Sequence, residues 1–286
     1  MKIIPLLLSL VLLTPVCRAQ ARILWELPDP VLSTPLPHAV HEPISRAAFI
    51  LLAEELEALY AEDVWREKGL DLIIYKSWMS EVVNANVVLE DDDIKISLHG
   101  GLARHPLMTP DGFTLLVCHE IGHILGGGTG IPGVTWAAAE GQADYFATSK
   151  CLRRYWQDAD NSGIIAGRPI PPEAARQCPG TYTDEDEAHL CLRSAMAGLS
   201  LAAVFHSLNP DETGPGPALD TPDLSETPFT RSLHPPAQCR LDTYYQGALC
   251  DRHWQEVFSD YDRFAGACNR RDGYTTGVRP ACWFRP

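Results

Sequence analysis

Two histidines four residues apart, with a glutamate directly after the first, lie in the stretch Leu115 to Gly128, LLVCHEIGHILGGG: His119, Glu120 and His123. This is an HExxH pattern, and it reads as one amphipathic helix. Positions four apart stand one above the other on a helix, so both imidazoles can meet a single metal ion while Glu120, about 100° around, stands beside it. Zinc suits that geometry, because a catalytic zinc takes three protein ligands and keeps a fourth position for water. The leading candidate for the third ligand is Glu140. It opens Glu140-Gly141-Gln142-Ala143-Asp144 on a second helical run, AAAEGQADYFATSKCLRRYW, which sets Glu140 and Asp144 one turn apart on one face. Asp144 can then accept the second ring N–H of a ligating histidine, His119 first, and so fix its tautomer. HExxH is short enough to occur by chance. Here it lies on an apolar helix that ends in a glycine run, with sixteen residues between His123 and Glu140.

The flanking sequence says how these residues are positioned. Thr109 can cap the metal helix, Pro110 suits its first turn, and Asp111 favours its positive end. From 44 to 68 the apolar residues Phe49, Leu52, Leu56, Tyr60 and Val64 recur at three and four, the pattern of a long amphipathic helix. LDLIIYKSW (70–78), NANVVL (84–89) and IKISL (94–98) read as three strands, the last two joined at the acidic run Glu90 to Asp93. The expected result is a small antiparallel sheet whose third strand is an edge along the cleft, open to an extended peptide. Residues 158–183 read as a connection, 185–208 as a core helix, and 209–230 as a loop. A further short helix opens around 232–241.

Composition bounds the rest. The chain has 286 residues, 45% of them hydrophobic, and a formal charge of −14, which disfavours nucleic acid and anionic membrane surfaces as partners. Residues 1–19 read as a secretory signal and 20–43 as a proline-rich arm or short propeptide. No later segment reads as a membrane span, so the mature chain is expected to be exported, to a periplasm or outside the cell. Setting Cys17 aside with the signal leaves eight cysteines, an even number that predicts up to four disulfides of unassigned pairing, mostly in the second half. Oligomeric state has no signature in the sequence.

With these residues in hand, the chain resembles the gluzincin peptidases of metallopeptidase family 48, the HtpX-type and CAAX prenyl protease group. The likeness rests on Asn84-Ala85 and Gly101-Leu102, the HExGH helix, Glu140 with Ala143 and Asp144, and His234-Pro235 followed by Arg240-Leu241. It implies one zinc ion held by His119, His123 and Glu140, with Glu120 as catalytic base and Asp144 behind a ligand. His234 and Arg240 match a family segment near the active site, where they would steady the oxyanion; Tyr244 or Tyr245 could serve the same role. The implied fold is α+β and mainly helical, zincin-like. Its catalytic core would be 44–208, completed by a cleft-side loop and helix at 209–248 and a disulfide-fastened cap at 249–286. The implied activity is hydrolysis of peptide bonds in a polypeptide substrate. The alternative is a latent zinc protein or a non-proteolytic envelope chaperone using the same cleft. Family members are membrane-embedded and are not built on eight cysteines, so their membrane substrates do not carry over.

Overall fold

Ser45 accepts a hydrogen bond from the Ala48 N–H and so starts helix α1 (Arg46–Lys68); Gly69, at φ 69°, ends it. In the computed structural model, which describes residues 44–91, 93–128 and 136–286, this helix buries Phe49, Ala53, Leu56, Tyr60 and Val64 on one face. The expected signal (1–19) and arm (20–43) lie outside the described residues. The architecture is α+β: a three-stranded sheet, β1 (Asp71–Ser77), β2 (Ala85–Glu90) and β3 (Asp93–His99), packs with the helices around one main core.

The sheet corrects the expected topology. It is mixed rather than antiparallel, in the order β1-β3-β2, with β1 parallel and β2 antiparallel to β3. β3 is therefore central and has no open edge to offer a peptide. The cause is the link between β1 and β2, which passes the end of β3: Ser80 accepts from the Gly101 N–H at 2.8 Å, and its hydroxyl lies 3.0 Å from His99 Nδ1. The chain thus enters β2 on the far side of β3, and the edges fall to β1 and β2.

After the short α2 (Gly100–Ala103), helix α3 (Pro110–Leu125) starts as its sequence signals, with Thr109 accepting from the Gly112 N–H. It is not amphipathic in its setting. Residues Asp111–Ile124 are all buried, because α1, β2 and three later helical elements surround the helix. Those elements are α4 (Glu140–Phe146), a π-helical turn (Ala147–Cys151) running into α5 (Leu152–Trp156), and α8 (Glu185–Leu208). Asp184 caps α8, which is apolar and long enough to cross a bilayer yet packs here against α3, α6 (Asn161–Ile165), α7 (Pro172–Thr181) and α9 (Ala237–Ala248).

Four disulfides fasten this frame. Cys118–Cys151 joins α3 to the π turn and Cys178–Cys191 joins α7 to α8. Cys239–Cys282 ties α9 to the C-terminal tail, and Cys250–Cys268 closes a loop that begins just after α9. A loop of the size closed by Cys239–Cys282 stabilises a fold by about 3–4 kcal/mol on the chain-entropy account.

One buried charge works against the fold. Lys150, on the π turn, is 3% exposed, and its Nζ donates to the His253 carbonyl at 3.0 Å. Burial lowers its pKa from an ordinary 10.5 to about 7. Between those values the unfolded chain holds more protons than the folded one, so stability rises with pH across that window, and the penalty is full below pH 7. Lys150→Met should therefore raise the unfolding free energy by about 1–2 kcal/mol at pH 6, with the gain fading towards pH 10. Urea unfolding of both proteins at pH 6, 8 and 10 checks this; a gap that does not change with pH would contradict it.

Candidate metal centre

His119, Glu120 and His123 leave α3 towards the start of α4, and the two helices meet closely at Gly122. A Cβ there would fall 2.7 Å from the Ala143 carbonyl oxygen, so only glycine lets α4 bring Glu140 to the histidines. The chain entering α4 is held against α3 as well. The Ala138 N–H donates to the His123 carbonyl at 2.7 Å, and Gln142 Nε2 donates to the Gly126 carbonyl at 2.8 Å.

The side chains converge on one point. His119 Nε2 and His123 Nε2 are 3.2 Å apart. Glu140 Oε2 lies 3.4 Å from the former, and Oε1 lies 3.5 Å from the latter. Ligand atoms about 2.0–2.1 Å from a tetrahedral zinc stand about 3.3–3.4 Å from one another, so the three residues fit such an ion. They form a candidate metal-binding group. The second ring nitrogens are occupied from behind: His119 Nδ1 is 2.7 Å from Asp144 Oδ1, and His123 Nδ1 is 2.9 Å from the Ala138 carbonyl. Both contacts put the proton on Nδ1, so Nε2 is the nitrogen each ring would offer to a metal.

Burial makes this arrangement costly without a cation. Glu140 is 1% exposed and neither of its oxygens accepts a hydrogen bond, a condition that native proteins rarely tolerate. Burial opposes its ionisation, yet the imidazoles of His123, His234 and His119 hold its pKa well below the usual carboxylate range. Burial alone dominates at Glu120, which is 4% exposed and has its pKa pushed up to about 7. Glu120 lines the same cavity as the histidines and Glu140, a space of about 20 Å³ that would admit one water.

Arg240 and His234 both reach this region, in different ways. Arg240, 2% exposed on α9, grips Asp144 with two hydrogen bonds, Nε to Oδ2 at 2.9 Å and Nη2 to Oδ1 at 2.7 Å, and stacks 4.0 Å over the ring of Phe205. Its fork is thus engaged behind His119. His234 precedes α9, with a side chain one-third exposed and Nε2 3.2 Å from Glu140 Oε1. Tyr244 is fully buried and its hydroxyl accepts from Arg240 Nη2 at 3.1 Å; Tyr245 points elsewhere, to the Glu173 carbonyl at 3.1 Å. Sequence reasoning did not find Ala138 or Phe205. A backbone carbonyl carries no residue signature, and an apolar residue on a core helix looks like any other.

Comparison with protein-family models, with curated proteins and with solved structures gives no match for this chain.

If Asp144 sets the His119 tautomer, Asp144→Asn should weaken zinc binding by about 10–100-fold while its amide oxygen still accepts from Arg240. Glu140→Gln should weaken it further. Competition with a chromophoric chelator measures both, with far-UV dichroism to check the fold. Unchanged affinity in Asp144→Asn would remove Asp144 from this role.

Proposed function

We propose that this chain is a zinc-dependent endopeptidase of the gluzincin kind, with a site resembling that of metallopeptidase family 48 on a zincin-like core. The observation that carries the reading is the buried Glu140 carboxylate, without a hydrogen bond, set against two Nε2 atoms at tetrahedral ligand spacing, with Glu120 facing the same cavity. A purely structural zinc has four protein ligands and no use for an adjacent carboxylic acid. Four disulfides fit an exported protein in an oxidising compartment, where its substrates would be other exported or envelope polypeptides.

Bound by His119, His123 and Glu140, zinc would supply Lewis acidity toward a water and a peptide carbonyl. Glu120 takes the proton of the attacking water and passes it to the departing amine; a carboxyl with a pKa of about 7 suits both duties near neutral pH. Asp144 and the Ala138 carbonyl hold the two imidazoles in orientation. Arg240 keeps Asp144 ionised and in place, so we assign it a positioning role, and His234 is the better placed donor to a developing oxyanion. The edge strand beside the site is β2: its first residue, Ala85, lines the cavity, and an extended substrate would pair there rather than along β3.

A second reading has its own observation. The cavity has room for little more than water, and His234 stands against Glu140 at its mouth, which favours a latent form or a non-proteolytic holder of extended chains. Glu120→Gln distinguishes the readings. On the endopeptidase reading it keeps zinc and loses turnover by about 10²–10⁴-fold, scored as new peptide termini by mass spectrometry after incubation with denatured proteins. Equal cleavage by both proteins would remove Glu120 from catalysis. Cleavage by neither, followed by gain of cleavage in His234→Ala, would establish the latent form.

A further inference from the structure

A pocket of about 520 Å³ lies between the C-terminal half of α1, the π turn and residues 254–261, sharing no lining residue with the metal cavity. Its size is that of a small-molecule site. Its walls are aromatic, with Tyr60, Phe146, Trp254 and Phe258 among them. Cationic side chains also line it, and they differ in one respect. Lys68 is paired with Asp260 at 2.8 Å, while Arg154 and Arg66 both reach Asp63. Lys150 has no carboxylate within ion-pair distance among the described residues. Its one hydrogen bond, to the His253 carbonyl, leaves two of the three ammonium donors unused, and the side chain is 97% buried beside the Phe258 ring at 5.3 Å. Glu256, the one acid felt at Lys150, is already held by Arg252 at 2.7 Å.

A buried amine facing an aromatic cavity with donors to spare is half of a charge pair. We propose that this pocket binds a small amphipathic monocarboxylate, its apolar body among the rings of Tyr60, Trp254 and Phe258 and its carboxylate on Lys150. The charge argues for an acid over a neutral ligand, and the ring lining argues against a small inorganic anion, which would gain nothing from it. The placement of Lys150 on the π turn has a physical basis. The wider turn follows α4 directly, is pinned to α3 by Cys118–Cys151, and π turns of this kind recur at functional sites. Leu125, the last residue of α3, forms part of the same wall, so a ligand here would touch the metal helix from behind.

The test uses the whole oxidised chain at pH 6, where Lys150 carries its proton, with biphenyl-4-carboxylate as probe and the neutral biphenyl-4-carboxamide as its uncharged counterpart, each titrated by calorimetry. The acid should bind saturably at one site, at least tenfold more tightly than the amide. Lys150→Met should abolish that preference while Lys68→Met preserves it. The comparison of acid with amide in the unaltered protein does not depend on any variant folding. Absence of saturable binding by the acid, equal binding of acid and amide, or a preference that survives in Lys150→Met or disappears equally in Lys68→Met would each overturn the proposal.

Discussion

Glu140 and Asp144 both approach His119, and Glu120 lines a cavity with Glu140, in a protein interior where each of the three exposes 4% of its surface or less. Among the described residues the buried guanidinium against them is that of Arg240, which pairs with Asp144. Glu140 and Asp144 are held ionised against the single permanent charge of Arg240, which leaves one negative charge to be compensated, by a proton on an imidazole or by a cation at the histidines. A low-dielectric interior does not keep such an imbalance without a partner. Much of the structure follows from this constraint. α3 and α4 must touch at a glycine to share the charges, α9 must deliver a guanidinium to the back of the cluster, and Phe205 must supply a flat surface on which that guanidinium stacks.

The C-terminal tail is what keeps α4 and α9 in that relation. Cys239, next to Arg240, is bonded to Cys282, and Trp283 beside it packs so closely on Gly141 that a Cβ there would overlap the indole. Arg279 Nη1 donates to Gln142 Oε1 at 2.9 Å, one helical step further along. One short stretch of tail thus bears on the helix carrying Glu140 and, through a covalent bond, on the helix carrying Arg240. The disulfide that ties α9 to this tail is also among the most deeply buried parts of the protein.

What could be read from sequence is what one helix decides by itself. The i, i+4 spacings of His119 with His123 and of Glu140 with Asp144, and the cap at Thr109, need only local geometry. The pairing of Asp144 with His119 followed from chemistry once two helices were assumed to meet. Non-local choices were hidden. The order of the strands was misread because alternation gives faces and not neighbours, and β3 alternates as an edge strand would. Residues 158–183 read as a connection because Gly163, Pro171, Pro172 and Pro179 break the pattern; α6 and α7 form there nonetheless, with Pro172 in the first turn of α7 and Cys178 stapling it to α8. Arg240 was legible as a site residue but not as the partner of Asp144, since nothing in sequence ranks one buried acid over another.

Access and ligand-holding are governed by different parts of the chain. The connection from α8 to α9, which carries His234, is fastened to the tail through the Thr227 N–H to the Ala281 carbonyl at 2.9 Å and the Arg231 N–H to the Trp283 carbonyl at 2.8 Å. Along it Leu224, Phe229 and Leu233 are 85%, 68% and 63% exposed, so little apolar surface holds it down. Opening such a segment is a low-energy event compared with breaking the Asp144–Arg240 pair or separating α3 from α4, both of which would expose buried charge or core. On the endopeptidase reading, a polypeptide too large for a 20 Å³ cavity would gain entry by displacing the His234 connection while the histidines and Glu140 keep their places. The two demands on the proposed peptidase, rigid ligands and an opening wide enough for a chain, are met by assigning one to the buried helices and the other to an exposed strap.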